Sequence, residues 1–165
     1  MARAARTACN ALDIDVVVES ELWNRKKGVK SAARRAIVKA ANVLSTPSSE
    51  LAIVLTDDST IRQLNRDWRS IDAPTNVLSF PAGRAGGATP FIGDIVLAYE
   101  TIAGEARAER KPFAHHLAHL TVHGFLHLLG YDHVRKKDAE EMEQLERDIL
   151  RRLRIPDPYR RLAGV

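Results

Sequence analysis

The chain has a single cysteine, Cys9, so no internal disulfide framework can staple it. A reducing cytosol is the expected compartment. Nothing in it approaches the ~18 uncharged apolar residues that a membrane span requires, and the mean hydropathy is −0.24. The opening Met1-Ala2-Arg3-Ala4-Ala5-Arg6 lacks the apolar region of a secretory signal. Aromatic residues are scarce at 5%, and with Trp23 and Trp68 the only tryptophans no stacking platform can be argued from composition. Internal repeats and long linkers are also missing. What is present is enough apolar material, 45% of 165 residues, to exclude disorder for most of the chain. That length predicts one domain over 1–165, with a loose N-terminal extension at 1–11 and a C-terminal tail at 155–165.

Charge is mildly basic, 25 Lys and Arg against 21 Asp and Glu. This is compatible with a polyanionic partner without demanding one. The run Arg25-Lys26-Lys27 with Lys30, Arg34, Arg35 and Lys39 fits an electrostatic footprint for RNA phosphates or, equally by pattern, a solvated helix face.

Hydrophobic periodicity predicts strands at 12–18, 51–55, 76–80 and 92–98. Helices are expected at about 30–44, from Asp57 or Asp58 through Trp68, at about 112–129, and at about 137–153. Pro81 to Pro90, with Gly83, Gly86 and Gly87, reads as the mobile loop. The last helix mixes seven basic with six acidic residues between Arg135 and Arg154, the pattern of a solvent-facing helix laced with ion pairs, with Met142 turned to the core. Strands interleaved with helices predict an α/β (α+β) domain, a small mixed four-stranded sheet packed with about five helices.

All six histidines lie between positions 115 and 133. His123 and His127, four apart on a helix, project from one face and can share an ion. Gly130 permits a reversal that brings His133 back toward the same point. Three neutral imidazoles with an open fourth position match catalytic rather than structural zinc, which predicts a zinc cleft at the end of a central helix. Nickel, copper or iron also suit such a cage. Each four-residue step along the helix turns about 40°, so His115 is turned away, His119 is an interior or rim residue, and His116 reads as surface. The spacing follows the zinc-protease string H-E-x-x-H-x-x-G-x-x-H, except that the general base of that string is replaced by Gly124.

The segment His123-Gly124-Phe125-Leu126-His127-Leu128-Leu129-Gly130-Tyr131-Asp132-His133 resembles the signature of the YbeY family of single-strand-specific, metal-dependent endoribonucleases. The resemblance extends through Leu64-Asn65-Arg66-Asp67-Trp68-Arg69-Ser70-Ile71-Asp72-Ala73-Pro74-Thr75-Asn76-Val77-Leu78-Ser79-Phe80-Pro81 and Gly93-Asp94-Ile95, spanning about residues 50–150. It implies a cytoplasmic zinc-dependent hydrolase acting in 16S rRNA 3′-end maturation and ribosome quality control. The implied partners are single-stranded RNA, the small ribosomal subunit and ribosome-associated proteins.

Residue by residue, the resemblance places the zinc ligands at His123, His127 and His133 and the basic residue of the cleft at Arg69. Two positions depart from the family's usual pattern: Asn76 stands where an aspartate is common, and Trp68 where a tyrosine precedes the arginine. From the residues themselves, Arg69 can hold a scissile phosphate bidentately. Asp132 can orient a ligand or take a proton, although aspartates at such turns more often serve the backbone. Asp94 can orient an imidazole or cap the start of a strand. Attack by hydroxide and attack by the ribose 2′-OH are both open at this level. Two other readings share the same residues: a zinc metallopeptidase lacking the usual glutamate base, and a non-enzymatic ribosome-binding factor with structural zinc.

Overall fold

The computed structural model describes residues 11–83 and 89–160; residues 1–10 of the N-terminal extension, half of the loop expected to be mobile (84–88) and the last five residues lie outside the described residues. Strand β1 (Leu12–Val18) leads through a single 3₁₀ turn, Glu21–Arg25, into α1 (Val29–Leu44). Then follow β2 (Ser49–Thr56), α2 (Asp58–Arg69), β3 (Val77–Pro81), β4 (Phe91–Ala98), α3 (Tyr99–Ala108), α4 (Phe113–Leu128) and α5 (Lys136–Arg152). The four strands form one sheet in the order β1-β2-β4-β3. The first three are mutually parallel and β3 runs antiparallel along the edge of β4.

Period-two alternation gives the sheet two faces. Val16, Ile53 and Ile95 lie in register across three strands and, with Leu51, Leu55 and Leu97, pack under α1, α4 and α5 in the main core. The opposite face presents Val54, Leu78, Phe80, Val96 and Ala98 to Ile61 and Leu64 of α2. Trp23, fully buried, donates its indole N–H to Thr56 O at 2.7 Å. Its ring packs edge-on to Tyr99 and Phe113, closing the top of the core.

Ten of the sixteen residues of α4 are buried, so it is the central helix, touching α1, α3, α5, β3 and β4. The sequence reading leaves 99–108 unassigned, whereas the chain forms α3 there. Gly104 at its middle and its abutment on β4 weaken the helical signal. The expected tail is also partly anchored. Lys111 donates to Pro158 O at 3.2 Å, and Tyr159 reaches α5.

Two glycines of the fold have opposite spatial demands. Gly93, in β4, has φ +140, and a Cβ there would sit 2.3 Å from Phe80 O and 2.8 Å from Leu128 Cδ2. Gly104 has open space around it. Gly93→Ala is therefore expected to lose more than about 2 kcal/mol. Gly104→Ala is expected to gain about 0.5–1 kcal/mol. Urea unfolding midpoints of the two variants test both signs.

Candidate metal centre

The C-terminal end of α4 carries the histidines, and its termination decides where the third one goes. Gly130 N donates to His127 O and Tyr131 N to Leu126 O, each at 3.0 Å, with Gly130 in the left-handed region at φ 95. This pairing satisfies the last carbonyls of the helix and reverses the chain. Asp132 Oδ1 then accepts from His133 N at 2.6 Å and from Val134 N at 3.2 Å, a side-chain turn that sets the loop. The result returns His133 to the helix end.

The three rings converge. Centroids lie 4.6 Å apart for His123 and His127, 5.0 Å for His127 and His133, and 5.6 Å for His123 and His133. One ring nitrogen from each lies within 4.8 Å of the other two. The Nε2 atoms of His123 and His127 face each other at 3.1 Å. Zinc–nitrogen distances of about 2.0–2.1 Å imply ligand nitrogens roughly 3.3 Å apart around a tetrahedron, close to the spacing of the His123 and His127 nitrogens. Among the described residues the cluster holds these three donors, leaving room for a solvent or substrate ligand.

Behind the cage stands a residue that the sequence reading passed over. Glu146, on α5, is fully buried. Its Oε1 accepts from His123 Nδ1 at 2.5 Å, which leaves His123 Nε2 as a lone pair aimed at the ion. Its Oε2 meets His119 Nε2 at 3.1 Å and the Tyr159 hydroxyl. Burial opposes the charged carboxylate, but the hydrogen bonds from His119 and His123 outweigh it and hold the pKa down at about 2. Burial and the adjoining carboxylate push the Tyr159 phenol above its ordinary range, so it stays a donor.

His127 is shifted the other way. Burial, followed by the proximity of His123 and His133, lowers its pKa, and the Tyr131 backbone and Asp132 carboxylate offset this only in part. A neutral imidazole is the form a metal requires. The donor set thus fits a borderline-soft ion such as zinc, with His123, His127 and His133 as the residues that would hold it.

Gly124 explains why the protease base is missing here. A Cβ at this position would lie 2.8 Å from Ile95 Cγ2, 3.1 Å from Ser79 Oγ and 3.3 Å from Val77 Cγ2. Ser79 Oγ also donates to Gly124 O at 2.9 Å. A side chain at 124 would run into β3 and β4 rather than toward the ion.

The other candidate residues fall into different places. Arg69 is the exposed last residue of α2, with no carboxylate at ion-pair distance among the described residues. Asp94 lies within β4 opposite Phe80, with its pKa raised by burial and no bond to an imidazole among the described residues. His115 and His119 stand outside the triad.

His116, read as surface, is in fact buried, with Nε2 at 2.7 Å from Glu105 Oε2. The unforeseen α3 covers that side of α4 and supplies the carboxylate. Asn76 joins the same network. Its Nδ2 donates to both Glu105 oxygens at 3.1 Å and its Oδ1 accepts from Val77 N at 2.7 Å. An aspartate here would set two carboxylates against each other. The basic residues Lys26, Lys27, Lys30, Arg34 and Arg35 are exposed as expected. The last helix does carry surface ion pairs, but its inner face buries Met142, Glu146, Ile149 and Leu150.

A family model described as "Endoribonuclease YbeY" matches residues 17–154. The Endoribonuclease YbeY of Nitrobacter hamburgensis is 54% identical over 153 residues, covering 88% of this chain and 80% of the relative. That of Bradyrhizobium diazoefficiens is 51% identical over 153 residues, covering 88% and 84%. The solution structure of TM1509 from Thermotoga maritima aligns with a TM-score of 0.50 at 24% identity, over 90% of this chain and 99% of that one, a likeness of fold.

Glu146→Gln removes the charge that fixes His123 while keeping the side chain's shape. It is expected to raise the dissociation constant for zinc about 10–100-fold in a competition titration against a chromogenic chelator, with helicity unchanged by circular dichroism. Unaltered affinity would show that His123 needs no support from α5.

Proposed function

The chain belongs to the YbeY endoribonuclease family, and from that premise we propose that it is a zinc-dependent hydrolase cutting single-stranded RNA. Its place would be 16S rRNA 3′-end maturation and ribosome quality control in the cytoplasm. The small ribosomal subunit and ribosome-associated proteins are its proposed partners. Among the described residues no helix is long and apolar enough to cross a membrane. The observation that carries the reading is the convergence of His123, His127 and His133 on one point, backed by the buried carboxylate of Glu146.

In this reading the three imidazoles hold the ion and keep one coordination position open to solvent and substrate. Zinc bound there would lower the pKa of a coordinated water from 15.7 toward about 7 and polarise a phosphoryl oxygen. Glu146 keeps His123 in the correct tautomer, and Asp132 keeps the His133 loop in place through its two backbone bonds. Arg69, without an internal carboxylate partner among the described residues, would clamp the phosphodiester and offset its growing charge. Position 124, which carries the base in proteases of this histidine spacing, has neither a carboxylate nor space for one, so a peptidase would need its acid from elsewhere.

The test is cleavage of a single-stranded RNA by metal-loaded protein, with and without chelator. His127→Ala is expected to remain folded and to lose at least about a hundredfold in kcat/KM. Arg69→Ala is expected to lose about 10–100-fold, the worth of a charge-assisted phosphate contact, with its zinc content unchanged. Unfolding of His127→Ala, or chelator-insensitive cleavage, would leave the metal a purely structural part.

A further inference from the structure

We propose that Trp68 is a base-stacking site for the single-stranded RNA substrate, with Arg69 beside it on the phosphate backbone; this rests on the reading just given. Trp68 is 72% exposed, a costly state for the largest apolar side chain. Its indole is nevertheless held. It meets the Phe80 ring edge-on, centroids 5.9 Å apart at 67°, and this leaves a flat face open to solvent.

The turn after it is clamped as well. Asn65, buried in α2, donates its side-chain Nδ2 to Ala73 O at 2.8 Å, and its backbone carbonyl accepts from Ile71 N at 3.3 Å. Arg62 meets both oxygens of Asp72, at 2.8 and 3.2 Å. The indole and the backbone of the turn that follows it are therefore held before any ligand arrives, which reduces the ordering cost of binding.

Position argues for RNA as the occupant. Phe80 belongs to β3, an edge strand one residue ladder from β4. The Phe80 carbonyl and the Leu128 side chain meet over Gly93, and Leu128 follows His127 directly in the chain. The Phe80–Gly93 contact thus joins Trp68 on the α2 face to the metal-binding end of α4 on the other. A sequence-tolerant single-strand site combines an aromatic face with neighbouring cations. Here Trp68 supplies the face, Arg69 the charge, and half-exposed Ile71 an apolar margin, while Arg66 is turned to Asp67 at 3.5 Å.

The two tryptophans make the test direct, because Trp23 is buried and hydrogen-bonded and can serve as an internal constant. Titration with a short single-stranded 2′-O-methyl oligonucleotide is expected to quench wild-type emission and leave Trp68→Phe unquenched. An abasic oligomer of the same length should quench far less. In cleavage assays Trp68→Ala should raise KM about 5- to 150-fold, with kcat and zinc content retained, and Trp68→Phe should restore most of the loss. Wild-type emission indifferent to RNA, or an unchanged KM in Trp68→Ala, would overturn the proposal and assign the patch to a protein surface. Quenching by the oligonucleotide in a protein that cuts no RNA would support the stacking site while defeating the proposed activity.

Discussion

A carboxylate with no access to water has to be surrounded by donors, and Glu146 draws its three donors from two parts of the chain. His119 and His123 come from α4, and the Tyr159 hydroxyl comes from the segment after α5. Losing any of them would strand a buried charge, a penalty of several kcal/mol. The packing of α5 on α4, the anchoring of residues 155–160 and the aim of His123 therefore rest on one set of hydrogen bonds. Fold and site share this constraint, so α5 cannot be treated as a covering helix independent of the chemistry.

The second constraint is spatial. Helix α4 approaches β3 and β4 so closely that Gly124 and Gly93 mark the contact, one from each side. Ser79 Oγ bonds the Gly124 carbonyl across the gap. This fixes the height of α4 over the sheet and with it the position of His127 relative to the edge strand. It also consumes the helix face on which a protease of the same histidine spacing carries its glutamate. The absence of that acid is built into the packing, and adding it back would displace the helix.

How much of this could be seen in the sequence follows from the range of each interaction. The histidine triad is legible because its geometry is local. A four-residue helical step and a glycine-terminated turn are both written in adjacent residues. The alternation of β1 and the amphipathic stripe of α1 are local too. Glu146 is different. On α5 it is one of six acids beside five bases, and only the tertiary approach of α4 distinguishes it from its solvated neighbours. The sequence makes His116 a surface residue for the same reason, since its burial depends on α3, whose central glycine conceals a helix. In sequence Asn76 is a missing carboxylate, and only the Glu105 side chain opposite it gives the amide its reason. The exposure of Trp68 is not legible either, because composition counts tryptophans without saying which are exposed.

The row of histidines along α4 shows how one helix separates ligands from supports. His116, His119, His123 and His127 fall near a single face, and helix geometry alone does not choose among them. The choice is made by which ring nitrogen a carboxylate occupies. Glu105 and Glu146 meet the outward Nε2 of His116 and His119, so those atoms are already committed. At His123 the same Glu146 takes Nδ1 instead, leaving Nε2 free beside that of His127 at 3.1 Å. One carboxylate thus closes one histidine to metal and opens the next. The boundary between framework and site on α4 lies between residues 119 and 123, set by the height at which α5 delivers Glu146.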